Sequence, residues 1–198
     1  MRMPYDENFY RIYREYLQEW IVRNNHDHIF SIFASLLLPD SPRVIDLGCG
    51  IGEYATYDLR YTAYIGIDLK NTGSVTSFVQ ADYLKLDFEG LLPFSPNAFV
   101  SLFSIECFHS AESKYALYNR LFSVFPAVKC GLVGGFFYES RRNQEVVSEA
   151  GEIVSYQTIE DPSLHISNLF TELRIHIRTP SQMFGNDVIE VWKFLIRK

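Results

Sequence analysis

The segment Val44-Ile45-Asp46-Leu47-Gly48-Cys49-Gly50-Ile51-Gly52-Glu53-Tyr54 constrains the fold more than any other part of the chain. An apolar run ends in a carboxylate, passes through three glycines and turns into a helix start. About twenty residues on, Tyr64-Ile65-Gly66-Ile67 forms a second apolar run that ends in Asp68. Strand, glycine turn, helix, strand and acidic residue in this order describe the nucleoside-binding corner of an open α/β sheet. The glycines let the backbone come close to a ligand, and Asp68 can accept hydrogen bonds from ribose hydroxyls.

The spacing narrows the ligand. A dinucleotide fingerprint is G-x-G-x-x-G. Gly48 and Gly50 fill its first two places, but the third falls on Glu53. A carboxylate there would face a pyrophosphate at a helix start, where anions are otherwise favoured. The order here is G-x-G-x-G preceded by Asp-Leu. VIDLGCGIGEYA resembles the first motif of the class I S-adenosylmethionine (SAM) dependent methyltransferases. SAM carries a sulfonium, an amino acid and an adenosine but no phosphate, so acidic groups near the turn are compatible with it.

The remaining pattern predicts the matching fold. Periodicity gives amphipathic helices over 5–23 and from Asp27 to Leu37, the latter stopped by Pro39 and Pro42. Strands are expected at 43–47, 63–67, 76–80, 98–104 and 128–137. Helices are expected at 51–59 and 112–125, with a weak helical segment at 84–91 and a polar helix at 141–150. Alternating strands and helices mean right-handed βαβ units and a parallel sheet. Leu173, Ile175 and Ile177 then alternate with charged residues, and a second apolar strand runs from Val188 to Ile196. The expectation is a Rossmann-like, seven-stranded, mostly parallel sheet closed by a C-terminal antiparallel hairpin, with two extra N-terminal helices. At 198 residues one domain is expected. Residues 1–40 would be a helical extension or lid, and residues 43–198 the SAM-binding core.

Composition bounds the partners. The chain is 47% apolar, with a formal net charge of −6. That charge disfavours a nucleic-acid partner, because phosphate binding needs a basic footprint. No run is long enough for a membrane span, and the N-terminus lacks an apolar signal core. Cys49, Cys107 and Cys130 have no C-x-x-C spacing and read as reduced thiols of a cytoplasmic protein. His26-Asp27-His28 lacks further ligand spacing, so a helix-cap turn is preferred to a metal site. The oligomeric state is left open.

The resemblance implies specific roles. Gly48, Gly50 and Gly52 would line the amino-acid half of SAM, with Asp46 beneath them holding the turn or the methionine ammonium. Asp68 would clamp the ribose, and Leu69 would pack on adenine. Gln80-Ala81-Asp82-Tyr83 is similar to the family's third motif, with Asp82 facing the adenine amino group and Tyr83 offering an aromatic face. For Asp68 the plainer alternative is a helix N-cap, and for Asp82 a capped turn. Val100 to His109 resembles the strand and loop that face the transferable methyl, with Ser104 in that loop. The Phe-Asp pair that many members carry at the start of this strand is replaced by Asn97-Ala98-Phe99, and no Asn-Pro-Pro-Tyr occurs. His109 is the candidate general base and Glu106 the second; helix capping is the other reading of His109. The aromatic stripe Tyr5, Tyr13, Tyr16 and Trp20 reads as packing or as part of a lid, and segment 153–170 as a possible acceptor wall. The function implied is methyl transfer from SAM to a small molecule. The alternatives are a protein methyltransferase and a non-catalytic SAM- or nucleoside-binding partner subunit, with a nicotinamide oxidoreductase more distant.

Overall fold

The computed structural model describes residues 26–37, 40–56, 61–71, 75–137, 144–147, 153–156, 167–180 and 187–198. The helix expected over 5–23, with its aromatic stripe and lid role, lies outside these residues. Helix α1 spans His26–Ile32 and continues as a π turn over Phe33–Leu37. Asp27 therefore sits inside the first turn and not ahead of it. The other elements are β1 (Arg43–Leu47), α2 (Glu53–Thr56), β2 (Ala63–Asp68), β3 (Phe78–Gln80), β4 (Ala98–Leu102), α3 (Ile105–Phe108), α4 (Ala111–Val124), β5 (Cys130–Phe137), β6 (Gln144–Val147), β7 (Ile153–Tyr156), β8 (Phe170–Pro180) and β9 (Asp187–Arg197).

Seven strands form one sheet in the order β3-β2-β1-β4-β5-β9-β8. The first five are parallel, and β9 runs antiparallel to both β5 and β8. The expected sheet and closing hairpin are both present. Strand β1 lies between β2 and β4, so the chain winds one way from β1 to β3 and the other way from β4 onward. Such a reversal opens a crevice at the carboxyl ends of the strands, where open α/β sheets bind ligands. The glycine turn follows β1 directly into that crevice.

Burial explains why β1 and β4 are mostly apolar, with Asp46 and Ser101 as their buried polar residues. Both faces of a parallel sheet are covered, and successive side chains go to opposite faces. Val44, Ala98, Val100, Leu132, Trp192 and Phe194 pack with Phe30 and Phe33 of α1. Ile45, Leu47, Phe99, Val133 and Leu195 pack against Tyr118, Leu121 and Phe122 of α4. Helix α4 starts at a Ser110 cap whose hydroxyl accepts from Ser113 N–H. It fits the expected 112–125 helix closely.

Two expectations fail. The polar helix at 141–150 is not formed; Gln144–Val147 is instead a strand paired antiparallel with Ile153–Tyr156. The β-branched pairs Val146-Val147 and Ile153-Val154 flank Gly151, which is a hairpin pattern, and they outweigh the polar helical spacing. The segment at 84–91 forms a turn and then a 3₁₀ stretch, Phe88–Phe94, capped by the Asp87 carboxylate. Pro93 inside it has no N–H to give and blocks an α-helix.

Gly131 of β5 is packed face-on by Phe99. A methyl built there would come within 2.3 Å of Phe99 Cζ. Phe99 is itself held by Tyr118 and Phe122 rings at 6.2 and 5.6 Å, so it has nowhere to go. Gly131→Ala should therefore cost about 1–3 kcal/mol by overpacking. Urea unfolding checks this; an unchanged midpoint would show that the sheet absorbs the methyl.

Candidate functional site

The turn after β1 takes a conformation that only glycine adopts without strain. Gly48, Gly50 and Gly52 have φ of +69°, +51° and +78°. Gly48 and Cys49 N–H groups donate to the Ile67 carbonyl at 2.8 and 3.2 Å, and Gly52 N–H donates to Cys49 at 2.7 Å. Gly50 N–H donates to the Asp68 carboxylate at 2.8 Å. The turn is thus fastened to the end of β2. Asp68 also accepts from its own following residues, Leu69 N–H at 2.6 Å and Lys70 N–H. Burial raises its pKa, and these three backbone donors oppose that only in part. Asp68 therefore caps the turn, and among the described residues no helix directly follows it for it to cap. Leu69 beside it is half exposed, one of three large apolar residues so placed among those described.

Asp46 lies beneath the turn, 2% exposed. One carboxylate oxygen accepts from the Tyr64 hydroxyl at 2.7 Å. The other has no partner among the described residues, and neither does the buried Tyr54 hydroxyl. Burial pushes the Asp46 carboxyl up to about 7, the Tyr64 hydrogen bond opposes that, and the Asp68 charge adds to it. The sequence reading missed Tyr64 and Tyr54. Their signal was their place at the ends of the two elements that enclose Asp46.

The remaining site residues converge. A side chain at Gly48 would come within 2.0 Å of Ser104 Oγ, so Ser104 closes directly on the turn. Ser104 Oγ is 2.9 Å from the Tyr83 hydroxyl, which is 2.7 Å from His109 Nε2. The Tyr83 and His109 rings stand edge to face at 5.5 Å. Arg120 holds Tyr83 in place by donating to its carbonyl at 2.8 Å. Phe103, just before Ser104, has φ of +55°; such strain in a non-glycine residue persists only where its surroundings enforce it. His109 ends α3 and is not the cap of α4, which is Ser110. Burial lowers the His109 pKa, Asp82 acts to raise it and Lys114 to lower it. Asp82 caps its own turn, accepting from Leu84 N–H at 3.0 Å and pairing with Lys85 at 3.3 Å.

Glu106 is not available as a base. It is fully buried and accepts from Lys193 at 2.7 Å, Lys114 at 2.9 Å and the Tyr118 hydroxyl. Burial alone would raise its pKa, but the two lysine charges and the hydrogen bonds outweigh burial and lower it. The carboxylate fixes α3, which lies between Ser104 and His109, against α4 and β9. On the opposite face His26 lies 2.7 Å from Glu190, which also accepts from the Trp192 indole at 2.9 Å. His26 thus anchors α1 to β9.

A carboxylate with a lowered folded pKa contributes stability above its unfolded pKa and loses it as pH falls through the folded one. Glu106→Gln should therefore cost about 3–5 kcal/mol at neutral pH, because it leaves two buried ammonium groups without their carboxylate. The difference from wild type should vanish in acid. Denaturant titrations between pH 3 and 8 check it; a constant difference would mean that Glu106 acts by packing alone.

Comparison with known proteins agrees with this geometry. No family model matches the chain. Cycloartenol-C-24-methyltransferase 1 of Oryza sativa subsp. japonica is 30% identical over 145 residues, covering 63% of this chain and 39% of that protein. The chain thus spans well under half the length of this curated relative. The structure of Burkholderia thailandensis 1,6-didemethyltoxoflavin-N1-methyltransferase, with 1,6-didemethyltoxoflavin and S-adenosylhomocysteine bound, is similar with a TM-score of 0.55 and 15% identity. It is matched over 96% of this chain and 83% of that one. The complex of DhpI with S-adenosylhomocysteine (SAH) gives a TM-score of 0.54 and 11% identity, over 94% of this chain and 93% of that one. With its β3-β2-β1-β4-β5-β9-β8 sheet and glycine turn at the switch point, the chain has the class I SAM-dependent methyltransferase fold.

Proposed function

We propose that this protein is a methyltransferase that takes its methyl group from SAM and passes it to a small-molecule acceptor. The observation that carries the reading is the Gly48–Gly52 turn at the sheet's switch point, with Gly50 N–H held by Asp68. The residues fit the cofactor. Asp46 and Tyr54 offer buried polar atoms without partners among the described residues beneath the turn, suited to an amino-acid end. Asp68 and the half-exposed Leu69 stand together at the end of β2, suited to a ribose and an adenine. Asp82 and Tyr83 follow β3, with Tyr83 tied to Ser104. We assign Gly48, Gly50, Gly52, Asp46, Asp68, Leu69, Asp82, Tyr83 and Ser104 to cofactor binding on this basis. When bound, SAM supplies a methyl group activated by its sulfonium.

The protein's part is orientation, worth up to ~7–11 kcal/mol, and removal of a proton where the acceptor must lose one. His109 is the candidate for the second task. Its lowered pKa keeps the ring neutral at physiological pH. With Nε2 on Tyr83, a proton reaches it through the Tyr83 hydroxyl. The small-molecule acceptor is supported by the 1,6-didemethyltoxoflavin-N1-methyltransferase among the structural neighbours. The net charge of −6 argues against nucleic acid. Among the described residues no helix is long and apolar enough to cross a membrane. We read residues 43–198 as one SAM-binding core, 1–40 as its extension or lid, and the protein as cytoplasmic.

SAM and SAH should each stabilise the protein, and NAD should not. A ligand at ~100 times its dissociation constant adds about 2.7 kcal/mol, which should raise Tm by roughly 5–10 °C. A shift with NAD alone would overturn the reading. Asp68→Ala should weaken SAM binding by about tenfold or more, since charge-assisted hydrogen bonds are worth roughly 1.5–3 kcal/mol; calorimetry measures it. With an acceptor from a metabolite panel, His109→Ala should lower kcat by ~10²-fold and leave SAM affinity nearly unchanged. A fully active variant would remove His109 from the chemistry.

A further inference from the structure

Ser104 stands where a serine ordinarily caps a helix, and it does not cap. It immediately precedes α3, yet its side chain makes no hydrogen bond to the first turn of that helix. Ser110, in the same place before α4, does so. At α3 the task falls to Ser101, whose hydroxyl accepts from Ile105 N–H at 3.3 Å and donates to the Leu47 carbonyl at 2.7 Å. The Ser104 hydroxyl is turned instead onto the Tyr83 hydroxyl, 2.9 Å away. Phe103 just before it is held at φ of +55°, a conformation that costs energy in a non-glycine residue and sets the direction of the chain into Ser104. From behind, Glu106 fixes the loop through Lys114 and Lys193. The fold thus spends strain, a buried ion cluster and a lost cap on placing one hydroxyl.

Ser104, Tyr83 and His109 form a line with a buried middle. Ser104 and His109 are half-buried, while Tyr83 between them is 9% exposed. The Tyr83 hydroxyl has a single proton, so it donates to one of these neighbours and accepts from the other. Ser104 is the member that lies against the glycine turn: a methyl built on Gly48 would meet its Oγ at 2.0 Å. A proton that reaches His109 Nε2 through the buried phenol therefore comes by way of Ser104, its neighbour on the crevice side. We propose that Ser104 takes the acceptor's proton and passes it through Tyr83 to His109. This rests on the reading of the protein as a SAM-dependent methyltransferase with His109 as its base. The balance closes. The acceptor's bond to hydrogen breaks, its electron pair stays on the acceptor, and a new O–H bond forms on Ser104. The serine's own proton moves to the Tyr83 oxygen. The phenol's proton moves to His109 Nε2, which becomes an imidazolium and later gives a proton to water. Neither hydroxyl ends with a charge.

The direction of the hydrogen bonds supplies a test that needs no acceptor. For a proton to run this way, Ser104 donates to Tyr83 at rest, Tyr83 donates to His109 Nε2, and His109 carries its own proton on Nδ1. Nitrogen-15 NMR of histidine-labelled wild-type protein with SAH at pH 8 reads that tautomer; the ring is neutral there, since its pKa is lowered. Tyr83→Phe should free Nε2 and shift its signal. A resting Nε2–H tautomer in the wild type would reverse the line and overturn the proposal, as would an Nε2 signal that Tyr83→Phe leaves in place. With an acceptor found on a metabolite panel, Ser104→Ala and Tyr83→Phe should each lower kcat by ~10²-fold, as His109→Ala does. Groups that act as one unit lose its whole contribution together, so the double variant should be no slower than either single one. SAM affinity by calorimetry should be nearly unchanged in Ser104→Ala. Tyr83→Phe keeps the ring in place and keeps the test open should Ser104→Ala fail to fold. Losses that multiply in the double variant, or a Ser104→Ala protein that loses SAM affinity and keeps its kcat, would overturn the proposal and leave the methyltransferase reading intact. No binding of SAM at all would overturn that reading and the proposal with it.

Discussion

The candidate site depends on how the Gly48–Gly52 turn is tied to the end of β2. Three backbone N–H groups that a strand-to-helix turn would leave unpaired are taken up there: two by the Ile67 carbonyl and one by the Asp68 carboxylate. Those bonds require the backbone to pass through positive φ at three places, and only glycine does so at low cost. They also require β1 and β2 to be adjacent and in register, with Asp46 opposite Gly66 and Leu47 opposite Ile67. Gly66 has no side chain because Cys49 and Val75 lie where one would go, 2.7 and 2.9 Å from a built methyl. Sheet register, turn conformation and the position of Asp68 are one constraint, which is why the motif is so compact in the sequence.

Two buried carboxylates near the site meet opposite conditions. Glu106 has two ammonium groups and a phenol within hydrogen-bond reach and is ionised. It works as a fixed anchor: it sets α3, and with it Ser104 and His109, relative to the sheet. Asp46 has one phenol and a neighbouring carboxylate, and burial dominates. The first arrangement suits a part that must not move. A survey of acidic residues in the sequence cannot separate them, because the lysines of Glu106 lie 8 and 87 positions away.

What the sequence made legible was local. The glycine turn, Asp68 at the end of the next strand and the period-two hairpin at the C-terminus each declare themselves within a dozen residues. The parallel sheet followed from alternating elements. The β6–β7 hairpin was misread because its four-residue strands are too short for either period to dominate. The Tyr83–Ser104–His109 contact was half legible: each residue was named, but the hydrogen bonds span 21 and 26 positions. Nothing in the sequence joins Tyr64 to Asp46 or His26 to Glu190. Those pairings exist only because the strand order brings distant side chains onto one face.

The departure at the start of β4 has a structural explanation. Where many class I SAM-dependent methyltransferases carry an Asp, this chain has Asn97 close by, and its amide works in both directions. Its oxygen accepts from Arg43 N–H at 2.7 Å, while its nitrogen donates to the Ser41 carbonyl at 2.9 Å. Its backbone N–H donates to Arg43, and its carbonyl accepts from Lys129. Asn97 therefore stitches together the entries of β1, β4 and β5. A carboxylate could take the Arg43 bond but could not donate to Ser41. This stitch lies at the amino end of β4, whereas Ser104 and His109 follow its carboxyl end. The parallel strands carry the chain through the core between the two, so the residue at position 97 bears on sheet assembly and not on the loop that carries Ser104 and His109.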